Sequence, residues 1–381
     1  MKNAKTQKYE MDMCSGSILK KILLFTLPLM CSSLLQLLFN AADIIVVGRF
    51  AGDNSLAAVG STSSLINLLT NFFMGLSVGA NVLVARFFGA RNQKDLTETV
   101  HTAMTLSLYS GAILTVIGLV GAEQILLWMN TPPDVLPLAT LYLRIYFLGM
   151  TAMMLYNFGS AILRAIGDTK RPLYYLTIAG IINVLLNLLF VVAFQMDVAG
   201  VAAATAISQC ISAVLIIRCM MREQGSIHLE LTSLRVNGDK FRRILQIGLP
   251  ASFQGILFSF SNVIIQSSVN SFGAVTVAGN SAGANIEGFV YVSMNAFHQA
   301  AISFTSQNVG AAKYERVNKI LYTAQVCVIV AGVVFGNLAV LFGYPLLRMY
   351  TTSPEVMEAG MRRMEIICRY YACLLYTSPS P

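Results

Sequence analysis

The sequence predicts an all-α protein that crosses a membrane many times, and two observations carry that prediction. Hydrophobic residues make up 56% of the 381 residues and charged residues only 12%, whereas charged residues form about 25% of a soluble domain. The apolar residues also gather in long continuous blocks, while a membrane β-barrel shows alternating segments of about 10 residues. Both observations argue against a soluble globular protein and favour membrane-spanning helices.

Continuous apolar blocks mark most of the predicted spans. A helix needs about 20 mostly apolar residues to cross about 30 Å of hydrocarbon. The block 244–286 is about twice that length, so it predicts one helix, a neutral turn near 270–275 and the start of another helix. Six further blocks contain no Asp, Glu, Lys or Arg: 22–42, 54–85, 99–122, 172–196, 198–217 and 320–347.

These blocks and the intervening segments predict about ten spans. The first span is too long for a signal peptide, and no small-residue cleavage site follows its apolar start, so we interpret it as an uncleaved helix. In chain order, the predicted helices are 20–47, 56–85, 99–122, 138–162, 173–195, 198–221, 243–269, 277–303, 319–343 and 356–376.

The basic residues predict the orientation of the chain. Lys and Arg gather in the N-terminal tail and in every second loop after it, while the other loops are nearly bare. The positive-inside bias therefore predicts a cytoplasmic N-terminus. The same distribution accounts for the net charge of +8, and a charge spread over separate segments does not form a nucleic-acid surface. The seven cysteines contain no CxxC pair and no Cys/His cluster, so we expect neither a metal site nor a disulfide framework.

An internal repeat divides the chain. The segment 20–28 resembles 242–250, and Asn40 matches Asn262 at the same offset. Six predicted spans precede the second copy, and an even number returns the chain to its starting side. The two halves are therefore predicted to be parallel six-helix lobes, an arrangement found in secondary transporters that bind their substrate between the repeats.

The second copy stops inside its fourth helix, and the last residues no longer resemble the first half. We therefore expect twelve spans in the intact protein, about ten here, and a C-terminally truncated chain. The predicted division is a cytoplasmic tail 1–19, an N-terminal lobe 20–221, a cytoplasmic linker 222–242, an incomplete C-terminal lobe 243–371 and a tail of foreign origin 372–381.

Short motifs, ordered along the chain, resemble the multidrug and toxic compound extrusion (MATE) family. They are Leu27-Pro28, Ala42-Asp43, Val47-Gly48-Arg49, Leu56-Ala-Ala-Val-Gly60, Arg164-Ala-Ile-Gly-Asp-Thr-Lys-Arg-Pro172, Asn183-Val-Leu-Leu-Asn187, Asp197-Val-Ala-Gly-Val201 and Ser306-Gln-Asn-Val-Gly-Ala311. The resemblance implies two six-helix lobes that export amphipathic organic cations against H⁺ or Na⁺. It also implies a multi-pass protein of the bacterial cytoplasmic membrane, monomeric, with no nucleic-acid partner and no cofactor besides the coupling ion.

Asp43 is the predicted ion-coupling residue. It is the only acid in the long first span, and Gln36, Asn40 and Asp43 share one helix face because they are spaced four and three apart. An ionisable residue in a span usually faces the bundle interior and is functional. The alternative is that Asp43 caps the outer end of the helix in water. We interpret Gln36 and Asn40 as substrate-binding neighbours.

Asn183 and Asn187 lie four apart on the fifth span and complete the predicted ion-coupling set. The resemblance implies a cation site here, because several family members carry Asp at the second position. The amide of Asn187 supplies a carbonyl ligand but takes up no proton, which shifts the coupling role onto Asp43 and favours H⁺ over Na⁺. The alternative is a set of hydrogen bonds between helices.

A second polar stripe lies on the eighth span. Glu287, Tyr291 and Asn295 repeat every four residues, so they share one face and are predicted to bind substrate. Asn157 on the fourth span is a further candidate. Pro28 removes a backbone hydrogen bond from the first span and is predicted to be a hinge, with a static kink as the alternative.

The energy source and the rival functions follow from what the motifs lack. The sequence has no Gly-x-x-x-x-Gly-Lys-Ser/Thr loop, so ATP is not the evident driver. The leading hypothesis is an antiporter, which is not an enzyme. One alternative is a lipid-linked precursor flippase of the same superfamily, which would place several cations in its cavity. The other is an intramembrane enzyme, but the chain has only three histidines from which to build a catalytic site.

Overall fold

The computed structural model describes residues 9–223, 225, 227–351 and 353–376, and across these residues it contains helices and connecting loops but no strand. The helices are α1 (Ile18–Phe50), α2 (Asp53–Gly89), α3 (Gln93–Trp128), α4 (Leu136–Leu148), α5 (Met150–Ala165), α6 (Lys170–Asn187), α7 (Asp197–Arg222), α8 (Gly238–Asn270), α9 (Ala274–Gly310), α10 (Tyr314–Leu341), α11 (Gly343–Leu347) and α12 (Pro354–Tyr376). A π-helical segment (Leu188–Ala193) extends α6, and a 3₁₀ turn (Leu231–Ser233) lies in the linker.

The predicted all-α membrane fold is confirmed. A helix lies at each of the ten predicted positions, and the predicted neutral turn falls at 271–273. Among the described residues, seven helices are long and apolar enough to cross a membrane, and the bent pair α4–α5 gives an eighth candidate. The helices α9 and α12 are not among them, because charged and amide side chains interrupt their apolar faces. The predicted tail 372–381 is helical as far as Tyr376, and 377–381 lie outside the described residues.

The fourth span is not the continuous helix 138–162 that the sequence predicts. It breaks at Gly149, where α4 and α5 meet at 46°. A side chain at Gly149 would lie 2.7 Å from Oε1 of Gln209 and 2.9 Å from Cα of Ala206 in α7. The hydroxyl of Thr115 donates to the Phe147 carbonyl at 2.9 Å, which supplies a donor beside the break. The bend therefore lets the span follow α7 closely.

The fifth span changes its helical pitch directly after Asn187. Over Leu188–Ala193 the chain is π-helical, and the Phe194 N–H donates to the Leu189 carbonyl at 3.0 Å. Such wide turns are rare, occur mostly as single turns inside α-helices and are frequent at functional sites. The sequence pattern predicted an ordinary helix over 173–195.

Two compact units make up the chain. Unit 1 comprises Met1–Asp12, Leu35–Ile256 and Ser306–Ala312, and unit 2 comprises Met13–Leu34, Leu257–Thr305 and Lys313–Pro381. The helices α1, α8 and α9 contribute residues to both units. The division into lobes 20–221 and 243–371 rests on the sequence repeat and stays a prediction.

In unit 1 the predicted linker is packed against the start of α3. The buried Lys240 donates to the Asp95 carboxylate at 2.6 Å and lies over the Phe87 ring. Asn237 donates to the Glu98 carboxylate at 3.0 Å. These contacts anchor the segment that joins the two copies of the repeat.

The loop between α5 and α6 is also tightly held in unit 1. Asp168 accepts hydrogen bonds from the backbone N–H groups of Lys170 and Arg171, at 3.2 and 3.1 Å, and pairs with the Arg171 guanidinium. Burial raises the pKa of Asp168, and the Arg171 charge and these hydrogen bonds oppose that rise. Gly167 has a φ of 94°, and the Met11 N–H donates to the Ile166 carbonyl at 3.1 Å. The motif from Arg164 to Pro172 thus builds a structured loop.

Candidate functional site

In unit 1 the three predicted ion-coupling residues meet in a closed ring of hydrogen bonds. Asn187 Nδ2 donates to Asp43 Oδ1 at 2.5 Å and to Asn183 Oδ1 at 3.3 Å. Asn183 Nδ2 donates to the hydroxyl of Thr205 at 3.3 Å, and that hydroxyl donates to Asp43 Oδ2 at 3.5 Å. We call these four residues the Asp43 ring; it joins α1, α6 and α7.

Local structure places the members of the ring. A side chain at Gly180 would overlap the ring of Phe39, so α1 and α6 approach closely at that glycine. From this contact Asp43 lies about one turn further along α1, and Asn187 lies about two turns further along α6. The π-helical segment begins at the next residue. The Asp43 ring is therefore flanked by a close contact between α1 and α6 and by a change of helical pitch.

Burial leaves one polar atom of the Asp43 ring without a partner. Asn183 and Asn187 are 5% and 0% exposed, whereas Asp43 is half-buried. Asn187 Oδ1 is buried and accepts no hydrogen bond from any described residue. A buried, unpaired amide oxygen costs about 1–3 kcal/mol, so the ring holds an acceptor ready for a proton donor or a cation.

One member of the Asp43 ring and two of its neighbours are residues that the sequence did not point to. Thr205 sits in an apolar, small-residue stretch of α7, and only the packing of α7 against α6 reveals it. The stacked pair Tyr142 and Tyr146, with ring centroids 5.8 Å apart, lies close enough to interact electrostatically with Asp43. Tyrosines at four-residue spacing on an apolar helix are usual in cores, so their spacing carried no signal.

In unit 2 Glu287 belongs to a different kind of cluster. Arg363 of α12 donates to Glu287 Oε2 through Nη2 at 2.7 Å and through Nε at 3.1 Å. Its Nη1 donates to Asn280 Oδ1 at 2.5 Å, and Asn280 Nδ2 donates to Gln266 Oε1 at 3.2 Å. The side chains of Arg363 and Glu287 are 20% and 14% exposed. We call this set the Glu287 cluster; its carboxylate is neutralised by a cation.

Glycines hold the helices of the Glu287 cluster together. A Cβ atom at Gly279 would lie 2.6 Å from Cβ of Ala359 and 2.7 Å from the Val356 carbonyl. A Cβ atom at Gly283 would lie 3.2 Å from Cδ of Arg363 and 3.2 Å from the Gly360 carbonyl. Small residues four apart let helix backbones approach in membranes. The ion pair therefore sits directly beside a close crossing of α9 and α12.

The other predicted residues have more ordinary surroundings. Gln36 and Asn40 are exposed. Asn157 donates to the Met153 carbonyl of its own helix at 3.0 Å. These three residues are not brought into the Asp43 ring, and their predicted role in substrate binding remains a prediction.

The remaining predicted residues lie in unit 2. Tyr291 stacks on Phe258 with ring centroids 5.9 Å apart, and Asn295 is half-buried. The helix α1 continues through Pro28, whose carbonyl accepts from the Ser32 hydroxyl at 2.9 Å. A side-chain bond of this kind often bends a helix, but the hinge role of Pro28 stays a prediction. Among the described residues no group of three or more His, Cys, Asp or Glu side chains could hold a metal ion.

Comparison with known proteins decides the family. The MatE family pattern matches residues 28–189 and 250–380, so the matched segments begin at Pro28 and Pro250, the two prolines aligned in the internal repeat. The chain belongs to the MatE family. It is therefore a transporter of the multidrug and toxic compound extrusion type and not an enzyme, and it handles organic substrates within a membrane.

Relatives and solved structures agree with this family. The probable multidrug resistance protein YoeA of Bacillus subtilis is 28% identical over 357 residues, which are 92% of this chain and 77% of YoeA. The FAD transporter of Shewanella oneidensis is 24% identical over 353 residues, 90% of this chain and 77% of that protein.

The fold of this chain is also similar to solved structures of MATE transporters. The outward-facing structure of a multidrug resistance MATE transporter of the MOP superfamily has a TM-score of 0.89 at 22% identity, covering 98% of this chain and 82% of its own. A MOP superfamily transporter from Pyrococcus furiosus, described as having a binding pocket of reverse polarity, has a TM-score of 0.87 at 23% identity with the same coverage. At this identity the likeness concerns the fold.

Proposed function

We propose that this MATE transporter is a secondary active antiporter that exports amphipathic organic cations by alternating access in exchange for H⁺ rather than Na⁺. The Asp43 ring carries the proposal, because it places one carboxylate inside a span among neutral partners. None of the ion pairs among the described residues involves Asp43. The names of several relatives, such as the multidrug export protein MepA of Staphylococcus aureus, support the export of drugs.

The ring can accept a proton by a simple rearrangement. With Asp43 ionised, Asn187 Nδ2 donates to it and Asn187 Oδ1 has no partner. When Asp43 gains a proton, its O–H becomes a donor that needs an acceptor. Rotation of the Asn187 amide by about half a turn presents Oδ1 to that O–H, since the two ends of an amide have nearly the same shape. Proton uptake and loss thus switch the hydrogen bonds between α1 and α6.

Coupling to the proton gradient supplies enough free energy for export. One proton moving through 100 mV contributes about 2.3 kcal/mol, and a tenfold proton gradient adds about 1.4 kcal/mol. A one-for-one exchange of H⁺ for a monovalent cation moves no net charge, so the potential contribution cancels. The tenfold proton gradient alone then supports a substrate gradient of about tenfold. We infer that a cationic substrate and the proton exclude each other at Asp43, because either one neutralises the carboxylate.

The location of the protein is part of the proposal. The positive-inside bias of the loops supports a cytoplasmic N-terminus. Bacterial relatives such as YoeA support a location in a bacterial cytoplasmic membrane. The proposed partners are organic cations and the lipid bilayer, the proposed state is a monomer, and the coupling ion is the one bound species besides substrate.

Dye uptake into everted membrane vesicles, which corresponds to efflux from the cell, tests the coupling. Wild type is expected to move ethidium when a proton gradient is imposed and to lose this movement when a protonophore collapses it. Asp43→Asn is expected to reduce gradient-driven efflux by about 100-fold, because its amide cannot cycle a proton. Glu123→Gln is the matched control, since Glu123 is an exposed carboxylate paired with Arg144 outside the ring. Unchanged efflux in Asp43→Asn would sink the proposal.

Sodium is the main alternative as the coupling ion. Oxygen atoms of Asp43, Asn183, Asn187 and Thr205 lie together in the ring, and hard cations bind oxygen ligands. Replacing Na⁺ by K⁺ at constant pH distinguishes the two ions. If efflux depends on Na⁺ and does not depend on the proton gradient, the coupling ion at these residues is Na⁺ and not H⁺.

The alternative of a lipid-linked precursor flippase is less well supported. Such a protein needs unpaired cations to hold a pyrophosphate group. Arg363 is a partly buried arginine of α12, and its guanidinium is already paired with Glu287. The polar residues of the Asp43 ring are an acid, two amides and a hydroxyl, which suit a cation.

A further inference from the structure

Arg363 occupies the place at Glu287 where a bound cation would lie. Two of its nitrogens donate to Glu287 Oε2, at 2.7 and 3.1 Å, and a third donates to Asn280. The Arg363 side chain runs close beside Gly283 at the crossing of α9 and α12, because a Cβ atom added there would lie 3.2 Å from Arg363 Cδ. The protein thus carries its own counter-ion for the carboxylate that the sequence predicts as a substrate ligand.

A substrate with a positive charge alone competes poorly for this carboxylate. To reach Glu287 it must displace a guanidinium that is tethered beside it, and a tethered group has a high effective concentration. Displacement would also leave Arg363 charged and unpaired at 20% exposure, which is strongly unfavourable. A lipophilic monocation therefore gains little from the Glu287 cluster.

A zwitterion can bind between Glu287 and Arg363 without leaving either side chain without an opposite charge. Its cationic group can take the Glu287 carboxylate while its anionic group takes the Arg363 guanidinium, whose fork suits carboxylate and phosphate oxygens. Two ion pairs then replace one, and neither side chain is left unpaired. Electrostatic complementarity of this kind gives specificity more than affinity.

An aromatic surface lies on the same face of α9. Tyr291 is four residues after Glu287, and its ring stacks on the half-exposed ring of Phe258 at 5.9 Å with an interplanar angle of 13°. A flat ring pair beside a charge pair suits a planar aromatic molecule that carries both charges. We propose that Arg363 is a specificity-determining residue that makes the Glu287 cluster select planar aromatic zwitterions over the corresponding monocations.

The inference rests on the proposed export of organic amphipaths and can be tested separately from it. A cationic rhodamine ester and the zwitterionic rhodamine acid obtained by its hydrolysis share one ring system and differ in the carboxylate. Fluorescence polarisation gives the dissociation constant of each dye for the purified protein, and the readout is the acid-to-ester affinity ratio. Arg363→Gln is expected to lower this ratio by about tenfold, because it removes the partner of the carboxylate and frees Glu287 for the ester.

Two further variants keep the test decisive if Arg363→Gln fails to fold. In Glu287→Gln/Arg363→Gln no buried charge is left unpaired, and the ratio is again expected to fall by about tenfold. Arg363→Lys keeps the positive charge but lacks the planar guanidinium that can bind a carboxylate through two nitrogens, so we expect an intermediate affinity ratio. A wild-type ratio in the double variant overturns the proposal.

The outcome separates this inference from the proposed function. Wild type that exports the ester with the proton gradient, together with a ratio that no variant shifts, contradicts the selectivity role alone. Wild type that shows no gradient-driven export, together with a ratio that falls in the variants, contradicts the antiport proposal and leaves the assignment of Arg363 standing.

Discussion

Asp43 of α1 and Glu287 of α9 are the two carboxylates that the sequence singles out in predicted spans, and their neighbours differ in charge. Asp43 in unit 1 accepts hydrogen bonds from an amide and a hydroxyl, while Glu287 in unit 2 is paired with a guanidinium. Both side chains are at least half-buried, so the contrast does not come from exposure to water. A carboxylate among neutral donors can be neutralised by an incoming proton or cation, whereas one beside Arg363 is neutral as a pair already. The residue type alone therefore does not decide which acid couples to an ion.

The largest expected difference between the two sites concerns stability. Glu287→Gln leaves the Arg363 guanidinium with a neutral partner, and breaking a buried pair on one side costs about 3 kcal/mol. Asp43→Asn removes a charge that has no opposite charge beside it, and its amide can still accept from Asn187 and donate to Thr205. We expect its free energy of unfolding to stay within about 1 kcal/mol of wild type. Thermal unfolding in detergent measures both variants.

The control for this difference is the double variant Glu287→Gln/Arg363→Gln. It removes both charges, so most of the lost stability is expected to return. Equal melting temperatures for Asp43→Asn and Glu287→Gln would show that the two carboxylates contribute equally to stability, and would contradict the proposed difference between the two sites.

A smaller effect is expected from the helix crossing that supports the Glu287 cluster. Gly279→Ala places a Cβ atom 2.6 Å from Cβ of Ala359, and overpacking of this kind costs about 1–3 kcal/mol. Gly288→Ala lies on the same helix but meets nothing within 4 Å, so it is expected to be neutral or to stabilise by up to about 1 kcal/mol. Gly279→Ala is therefore expected to melt at a lower temperature than Gly288→Ala. The reverse order would contradict the close crossing of α9 and α12.

The smallest effect is expected at the edge of the Asp43 ring. Thr205→Val removes a hydroxyl whose bond to Asp43 is long, 3.5 Å, so we expect a loss of about 1 kcal/mol in stability and a several-fold slower efflux. Thr205→Ser keeps the hydroxyl and should retain the wild-type rate. Stopped-flow measurement of dye efflux from vesicles compares the two, and equal rates in both variants would place Thr205 outside the coupling ring.

Contacts along one helix could be predicted from the sequence. The spacing of four between Asn183 and Asn187 placed them on one face, and they are hydrogen-bonded to each other in the structure. Apolar blocks gave the positions of the helices, because the length needed to cross a membrane is set by the thickness of the bilayer. The resemblance then supplied the link from these amides to Asp43.

Contacts between helices could not be predicted, since no periodicity connects one span to another. Arg363 is a charge in the tenth predicted span, and its partner Glu287 is 76 residues away along the chain. Thr205 was hidden among small residues for the same reason. The apolar pattern continues through the break at Gly149 and gives no sign of it. Only the packing of α7 requires a glycine there, because an added Cβ atom would lie 2.9 Å from Ala206 Cα.

The π-helical segment after Asn187 has a consequence for the register of the chain. A π-turn holds about one residue more than an α-turn, so the segment Leu188–Ala193 behaves as a single-residue insertion that the fold has absorbed. Deletion of one residue there is expected to convert the segment to an α-helix, with Asn187 still facing Asp43 and the side chains after Ala193 on their present faces. The same extra residue would appear as a one-position gap when the chain is aligned with a relative whose fifth span is α-helical throughout.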